Sequence, residues 1–266
     1  RKPGIGMVEK YLNEMLDREN SYVIGDRLTD MQLAANMGIR GILLGKEGME
    51  SLPIVLTADS WEKVVRFLKQ GSRQAVQVRQ TAETEVRVTL DLNGTGQGEV
   101  KTGIAFFDHM LDAFGRHGLF DLNVKAEGDI EVDAHHTVED VGIVLGKAFA
   151  QAMGEKRGIT RFASQYLPMD ETLVLAAVDI SGRGQLHWDV DVPLCLLGAF
   201  DTSLAKEFFI AFATNAQVTL HVRMVVGENA HHIVEACFKA VGRAMCQALE
   251  INPRIAGELP STKGSL

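Results

Sequence analysis

HHTVEDVGIVLGKAFAQAMG, from His135 to Gly154, and HHIVEACFKAVGRAMCQALE, from His231 to Glu250, are two copies of one segment. The second begins 96 residues after the first. They agree at both histidines and at Val138/Val234, Glu139/Glu235, Gly146/Gly242, Ala148/Ala244, Gln151/Gln247 and Ala152/Ala248. Each copy has the pattern of an apolar helix. On a helix the first histidine and the glutamate, four residues apart, share one face. Imidazole and carboxylate both suit divalent first-row metals. A lone His-His-x-x-Glu is a weak signal, but two on matched helices predict a duplicated unit with two metal sites.

Each copy closes a similar round of structure. The first round opens with TEVRVTLDL, where Val86, Val88 and Leu90 face one way and Arg87 and Thr89 the other, a half-buried strand. The turn-rich NGTGQG at 93–98 predicts a hairpin into Val100. TGIAFFDHMLDAFGRHG is expected as a helix and LFDLNVKAEGDIEVD as a hairpin pair. The second round holds TLVLAAVDISG and QLHWDVDV, a helix around AKEFFIAFATNA, and the strand QVTLHVRMVV. The expected fold class is α+β: two sheet-plus-two-helix halves packed together, over about 79–160 and 161–266.

Ahead of them, residues 1–71 alternate helix and strand: MVEKYLNEMLDREN, SYVIGD, TDMQLAANMG closed by Gly38, GIRGILL, and SWEKVVRFLKQG between Ser60 and Gly71. That predicts a partial α/β segment with a parallel sheet. Residues 72–78 are expected as a linker. The chain starts at Arg1 without an initiator methionine, as a fragment or processed product would.

Composition removes several functions. Net charge is −8, which gives nucleic-acid binding no electrostatic support. No apolar run approaches the roughly 20 residues of a membrane span, and no signal peptide is visible. Cys195, Cys237 and Cys246 form neither a disulfide framework nor a Cys-x-x-Cys site, which fits a reducing cytoplasm.

From about Gln77 onward the chain resembles the imidazoleglycerol-phosphate dehydratases. The likeness rests on AETEVRVTLDL, TGIAFFDHML, DAHHTVED, KRGITRF, PMDE, DISGR, GAFDTSLAKEFF, TLHV, GENAHHIVEACFKA and LPSTKGSL, in that order over roughly 190 residues. It implies a lyase of histidine biosynthesis that uses two divalent ions per site, Mn(2+), on a phosphorylated imidazole, in an assembly of 24 subunits. Residues 1–71 resemble the tail of a haloacid-dehalogenase-like phosphatase, the histidinol-phosphatase half of a bifunctional enzyme. Arg1-Lys2-Pro3 matches its lysine motif and Gly25–Asp30 its acidic magnesium motif. The Asp-x-Asp nucleophile that should precede both is absent, so Lys2, Asp26 and Asp30 are expected to be vestigial.

The dehydration expels a hydroxyl beside an imidazole ring and then takes a non-acidic proton from the next carbon. Metals on the ring nitrogens would acidify the ring and open that route. The candidate ligands are His109, His135, His136, His221, His231 and His232 with Glu139 and Glu235, four to each metal. Neighbouring residues on a helix point about 100° apart, so each His-His pair is expected to serve two metals, and a single subunit to complete neither site. Arg161, Arg183, Lys239, Ser261 and Lys263 match the family's phosphate contacts, and His117 its substrate histidine. Glu83 is the candidate base, with Glu85 as alternative; Glu139 and Glu235 join the catalytic set as ligands. Asp108 is expected to orient His109. Asp170 and Glu171 read equally as ligand supports or as structural residues. The rival readings are an active bifunctional phosphatase–dehydratase and a metal-storage assembly; the phosphate-matching cations argue against storage.

Overall fold

The computed structural model describes residues 2–12, 16–18, 20–45, 51–70, 73–128, 130, 133–255 and 257–266. The chain divides into two compact units, Arg1–Ser72 and Arg73–Leu266.

In the first unit, β1 (Tyr22–Gly25), β2 (Arg40–Leu44) and β3 (Ile54–Ala58) form a parallel sheet in that order. Helix α1 (Leu28–Met37) connects β1 to β2 and ends on Gly38 at φ 64°, a left-handed stop that glycine adopts without steric cost. Helix α2 (Trp61–Gln70) buries Val64 and Phe67 with Ile42, Leu56 and Ala58 of the sheet. The expected α/β alternation is present. The sequence does not mark β3, since PIVLTA is short and opens with a proline. The helix expected over 7–20 is, among the described residues, a 3-10 turn at Glu9–Tyr11 that buries no side chain. A short helix with no buried face has little to hold it. Residues 13–15 and 19 of that stretch, and the stop at Gly71, lie outside the described residues.

The second unit repeats one topology twice. In the first half, β4 (Gln74–Gln80), β5 (Thr84–Asp91), β6 (Val100–Lys101) and β7 (Asp121–Gly128) make a sheet ordered β4-β5-β7-β6. Helix α3 (Ala105–Gly118) precedes β7 and α4 (His135–Met153) follows it. In the second half, β8 (Phe162–Met169), β9 (Thr172–Asp179) and β10 (Gln185–Asp189) come first. A small ribbon of β11 (Leu196–Leu197) and β12 (Phe200–Asp201), then α5 (Leu204–Ala216), β13 (Thr219–Val226) and α6 (Ala230–Leu249), complete it. Its sheet is ordered β10-β13-β9-β8, the first half's order read from the other edge. In each sheet the short strand pairs parallel and the other pairings are antiparallel. The expected duplicated sheet-plus-two-helix halves are therefore present.

Each His-His-x-x-Glu helix packs on the other half's first helix, α4 on α5 and α6 on α3. A Cβ on Gly146 would lie 2.7 Å from the carbonyl oxygen of Phe212, and one on Gly242 2.5 Å from that of Phe114. The glycines shared by the repeats thus mark the two helix crossings, where backbones approach too closely for any side chain. Phe114, Phe149 and Phe212 fill the space between, with ring centroids 5.3–5.9 Å apart. Each such buried ring contributes about 1.5–3 kcal/mol.

Two local expectations of the second unit are corrected. Residues 74–78 are not linker but part of edge strand β4, paired to β5 from Gln74↔Asp91 to Gln80↔Glu85. β4 hides from pattern reading because Val76 and Val78 face outward, 49% and 53% exposed, while the small Ala75 faces in. Val100 does not return as a hairpin on β5; β6 lies parallel beside β7. The outward course is fixed by Asp121 and Asn123, whose side chains accept the N–H groups of Thr95, Gln97 and Glu99. Of the hairpin pair expected over 119–133, β7 is the described strand, and residues 129, 131 and 132 lie outside the described residues.

Candidate metal centre and active site

Helix α6 begins at Asn229, whose side chain accepts the backbone N–H of His231 at 2.9 Å. That N-cap fixes where the first turn points. One turn on, Glu235 is 7% exposed at its side chain, and its Oε2 lies 2.9 Å from His231 Nε2. The crossing of α3 over α6 brings His109 Nε2 to 3.5 Å of the same oxygen. The ligand atoms of His109, His231 and Glu235 all lie within 4.8 Å of one another. Among the described residues no other three His, Cys, Asp or Glu gather this closely. Two imidazole nitrogens and a carboxylate oxygen are a donor set that fits a divalent first-row ion. The cradle forms within one subunit because α3 and α6 come from different halves.

The other carboxylate oxygen, Glu235 Oε1, lies 2.6 Å from Lys239 Nζ. Burial pushes the Glu235 carboxyl up, but Lys239 and the two histidines outweigh it and leave the carboxyl below its usual range. Lys239, a candidate phosphate contact, thus stands one turn from the cradle and charges its carboxylate.

The neighbouring histidines point elsewhere, as helix geometry predicts. The His231 and His232 rings are inclined by 80° and the His135 and His136 rings by 81°. His232 Nδ1 lies 2.8 Å from Glu171 Oε2, and Asp170 Oδ2 is 3.7 Å from His232 Nε2. In the first half, His135 Nε2 is 3.9 Å from Glu139 Oε2, and His136 Nδ1 is 3.1 Å from Glu83 Oε2. Glu83 occupies the turn before β5 and keeps 58% of its side chain exposed, open to a substrate. Glu85, the alternative base, is exposed on β5 and pairs in register with Gln80 and Glu127. His221 does not join the cradle: it is exposed on β13 and stacks on His187 of β10, centroids 4.2 Å apart. Burial, then His187, push the His221 imidazole below its usual range.

A second cluster gathers at the end of β9. Arg161 holds Asp179 at 2.8 Å and donates to the carbonyl of Pro260 at 2.7 Å, which ties the C-terminal tail to the sheet. Ser261 Oγ accepts the Lys263 N–H at 3.2 Å. At Gly182 a Cβ would lie 2.4 Å from the Leu266 carbonyl carbon, so only glycine lets the tail pass beside Arg183. Arg161, Arg183, Ser261 and Lys263 therefore belong to one end of the second half, although they span a hundred residues of chain. His117 stands near the end of α3. It lines a cavity of about 390 Å³ with Arg116, Gln165, Arg243, Cys246 and Glu250. Burial, then Lys239 and Arg243, depress the His117 imidazole.

Asp108 does not serve His109 as expected. Its Oδ1 accepts the backbone N–H and hydroxyl of Thr102, at 2.7 and 2.5 Å, and pins the turn that enters α3. Sequence reasoning left Glu171 open and missed the His187 stack. The repeat carried a signal for Glu171, since Glu-Thr stands at 83–84 and again at 171–172. In the first unit, Lys2 Nζ reaches buried Asp30 at 2.5 Å, while Asp26 is exposed. Arg1 lies outside the described residues.

The chain resembles known proteins along both units. Residues 1–55 match the HAD-hydrolase-like family, and residues 102–245 match the imidazoleglycerol-phosphate dehydratase family. The chain is 57% identical over 194 residues to the imidazoleglycerol-phosphate dehydratase of Azorhizobium caulinodans, covering 73% of this chain and 98% of that protein. With the namesake from Paracoccus denitrificans it shares 56% identity, covering 73% of this chain and all of that one. Among solved structures, the Staphylococcus aureus dehydratase superposes with a TM-score of 0.61 at 36% identity, covering 67% of this chain and 100% of that chain. The Pyrococcus furiosus dehydratase in complex with (S)-C348 also gives 0.61, at 39% identity, covering 71% and 99%. The twin helices, the crossing that builds the His109–His231–Glu235 cradle and the matches across the second unit agree: the chain belongs to the imidazoleglycerol-phosphate dehydratase family, with a HAD-hydrolase-like segment ahead of that domain.

Proposed function

We infer that residues 79–266 catalyse the metal-dependent dehydration of imidazole glycerol phosphate to imidazole acetol phosphate, a hydro-lyase step of histidine biosynthesis. The observation that carries the metal requirement is the convergence of His109, His231 and Glu235. His135, His136, Glu139, His221 and His232 complete the ligand set, which holds two divalent ions, Mn(2+) by family resemblance. Bound ions supply Lewis acidity that favours the deprotonated imidazole ring of the substrate.

The chain's own residues do the rest. Glu235 stays ionised because Lys239 neutralises its second oxygen, so its Oε2 is free to ligate. Glu83 takes the proton from the carbon next to the departing hydroxyl. Its carboxylate is exposed and, among the described residues, meets His136, which leaves it accessible for that task. Arg161, Arg183, Ser261 and Lys263 clamp the phosphate, arginine as a planar fork and lysine as a point charge. Lys239 and His117 line the approach from α3 and α6. Because α4 lacks a third ligand of its own among the described residues, the sites are completed between subunits; the family resemblance gives an assembly of 24 subunits, and the biosynthetic role a cytoplasmic setting. Among the described residues no helix is long and apolar enough to cross a membrane. Residues 1–71 carry Lys2, Asp26 and Asp30 but hold no Asp-x-Asp nucleophile among themselves, and by themselves are inactive as a phosphatase.

Metal analysis paired with a dehydratase assay tests this reading. Protein stripped with chelator should be inactive and recover with Mn(2+), at about two ions per subunit. Full turnover by metal-free protein would refute it.

A further inference from the structure

We propose that Glu171 is a positioning residue: its carboxylate fixes the His232 ring in the tautomer that leaves Nε2 free to ligate metal. The inference rests on the metal reading above and extends it to a residue outside the ligand set. Glu171 stands directly before β9, as Glu83 stands directly before β5, and a buried threonine follows each. Each glutamate meets the second histidine of its own half's helix at the same nitrogen, Nδ1, at 3.1 Å for Glu83–His136 and 2.8 Å for Glu171–His232.

The two copies differ in how the carboxylate is held. The Oε1 atom of Glu171 accepts the N–H of Asn229 at 3.0 Å, the N–H of Glu228 at 3.4 Å and the Thr172 hydroxyl at 3.0 Å. Its Oε2 is thereby aimed at His232. Glu83 has no such set of donors on its carboxylate among the described residues. A carboxylate only accepts hydrogen bonds, and Asp170 at 3.7 Å from Nε2 is beyond hydrogen-bond reach, so Glu171 places the proton of a neutral His232 ring on Nδ1 and the lone pair on Nε2. Carboxylates behind metal-bound histidines act this way, and their loss typically costs 10–100-fold in metal affinity, about that much being expected here.

The arrangement makes Glu171→Gln a sharp test. Three donors already face Oε1, so the amide oxygen must take that place and the amide N–H₂ must face His232. The amide then donates to Nδ1, the proton moves to Nε2, and the ligand lone pair is lost. Manganese titrations of apo wild type, E171Q and E171A, followed by the electron spin resonance of free Mn(2+), should give E171Q an affinity about 10–100-fold below wild type at one site. E171Q should bind no better than E171A, although E171Q keeps the Oε1 hydrogen bonds and the higher melting temperature. A structural role predicts the opposite order, with affinity following stability. Nitrogen-15 spectra of the apo proteins should show His232 protonated at Nδ1 in wild type and at Nε2 in E171Q. If E171Q does not fold, E171A carries the test, with at least about tenfold weaker binding expected. E171Q or E171A binding within twofold of wild type, or an unchanged tautomer in E171Q, overturns the proposal. Wild type that binds no manganese overturns the metal reading beneath it.

Discussion

Lys239→Met tests how the cradle keeps its carboxylate charged. The Lys239–Glu235 pair is 2.6 Å long, with side chains 19% and 7% exposed. Removing one partner of a buried pair costs about 3–5 kcal/mol, because the other charge is left behind. His109 and His231 still face the same carboxylate, so we expect a smaller cost, about 2–3 kcal/mol, in apo protein. For a unit of this size about 1 kcal/mol moves the melting temperature by about 2–4 °C, which gives a fall of roughly 4–12 °C at pH 7.

The sign of the pH dependence separates this from a packing defect. In wild type the folded Glu235 pKa lies below its usual value. A depressed carboxylate stabilises the fold above the unfolded pKa of about 4.3, and that stability is lost as pH falls through the folded value. Without Lys239, burial is the dominant influence on the carboxyl and pushes it up. The variant should therefore recover part of its deficit on acidification from pH 7 to 5. Melting curves of both proteins in chelator, from pH 7 to 3.5, decide the matter. A variant that melts within 1 °C of wild type at pH 7, or keeps a constant deficit across the series, would show that Lys239 does not set the charge of Glu235.

Glu83→Gln should lower turnover by about 10²-fold or more while substrate affinity survives, as for a lost acid–base group. Near-normal turnover with weaker binding would make Glu83 a binding residue and Glu85 the next base to test. Lys263→Ala should do the reverse and raise KM with little change in kcat, since its charge meets the phosphate in ground and transition states alike. Chelator should shrink the assembly measured by light scattering, because sites shared between subunits link metal binding to association; equal size with and without metal removes that link. These 266 residues should release no phosphate from histidinol phosphate above background; metal-dependent release would restore the bifunctional reading.

Much of this was legible because duplication writes the same physics twice. The repeated His-His-x-x-Glu gave both site helices, and the alternation of Val86, Val88 and Leu90 gave β5. The shared Gly146 and Gly242 were visible as matches, but their reason was not. It lies in the helix crossings, where the partner backbone comes from the other half. β4 was missed because its larger apolar side chains face outward. The course of residues 93–101 was misjudged because side chains of β7, some 25 residues on, hold that loop by hydrogen bonds. Asp108 was misassigned for a related reason: adjacency to His109 in sequence suggested support, but an aspartate near a helix start is equally suited to holding the turn.

The cradle also explains why two equal motifs make unequal sites within one chain. Both helices carry the histidine and glutamate one turn apart. The second gains His109 because α3 crosses it, and gains Lys239 one turn later. The matching position on α4 is Ile143, which carries no charge. Its glutamate, Glu139, keeps 49% of its side chain exposed, against 7% for Glu235. Water therefore solvates the Glu139 carboxylate, whereas the buried Glu235 carboxylate is paired with Lys239. His135 and Glu139 thus face outward from α4, while His231 and Glu235 of α6 converge with His109 of α3 within the subunit. The two copies of one motif therefore differ in burial: one packs inward against α3, and the other stays open at the surface.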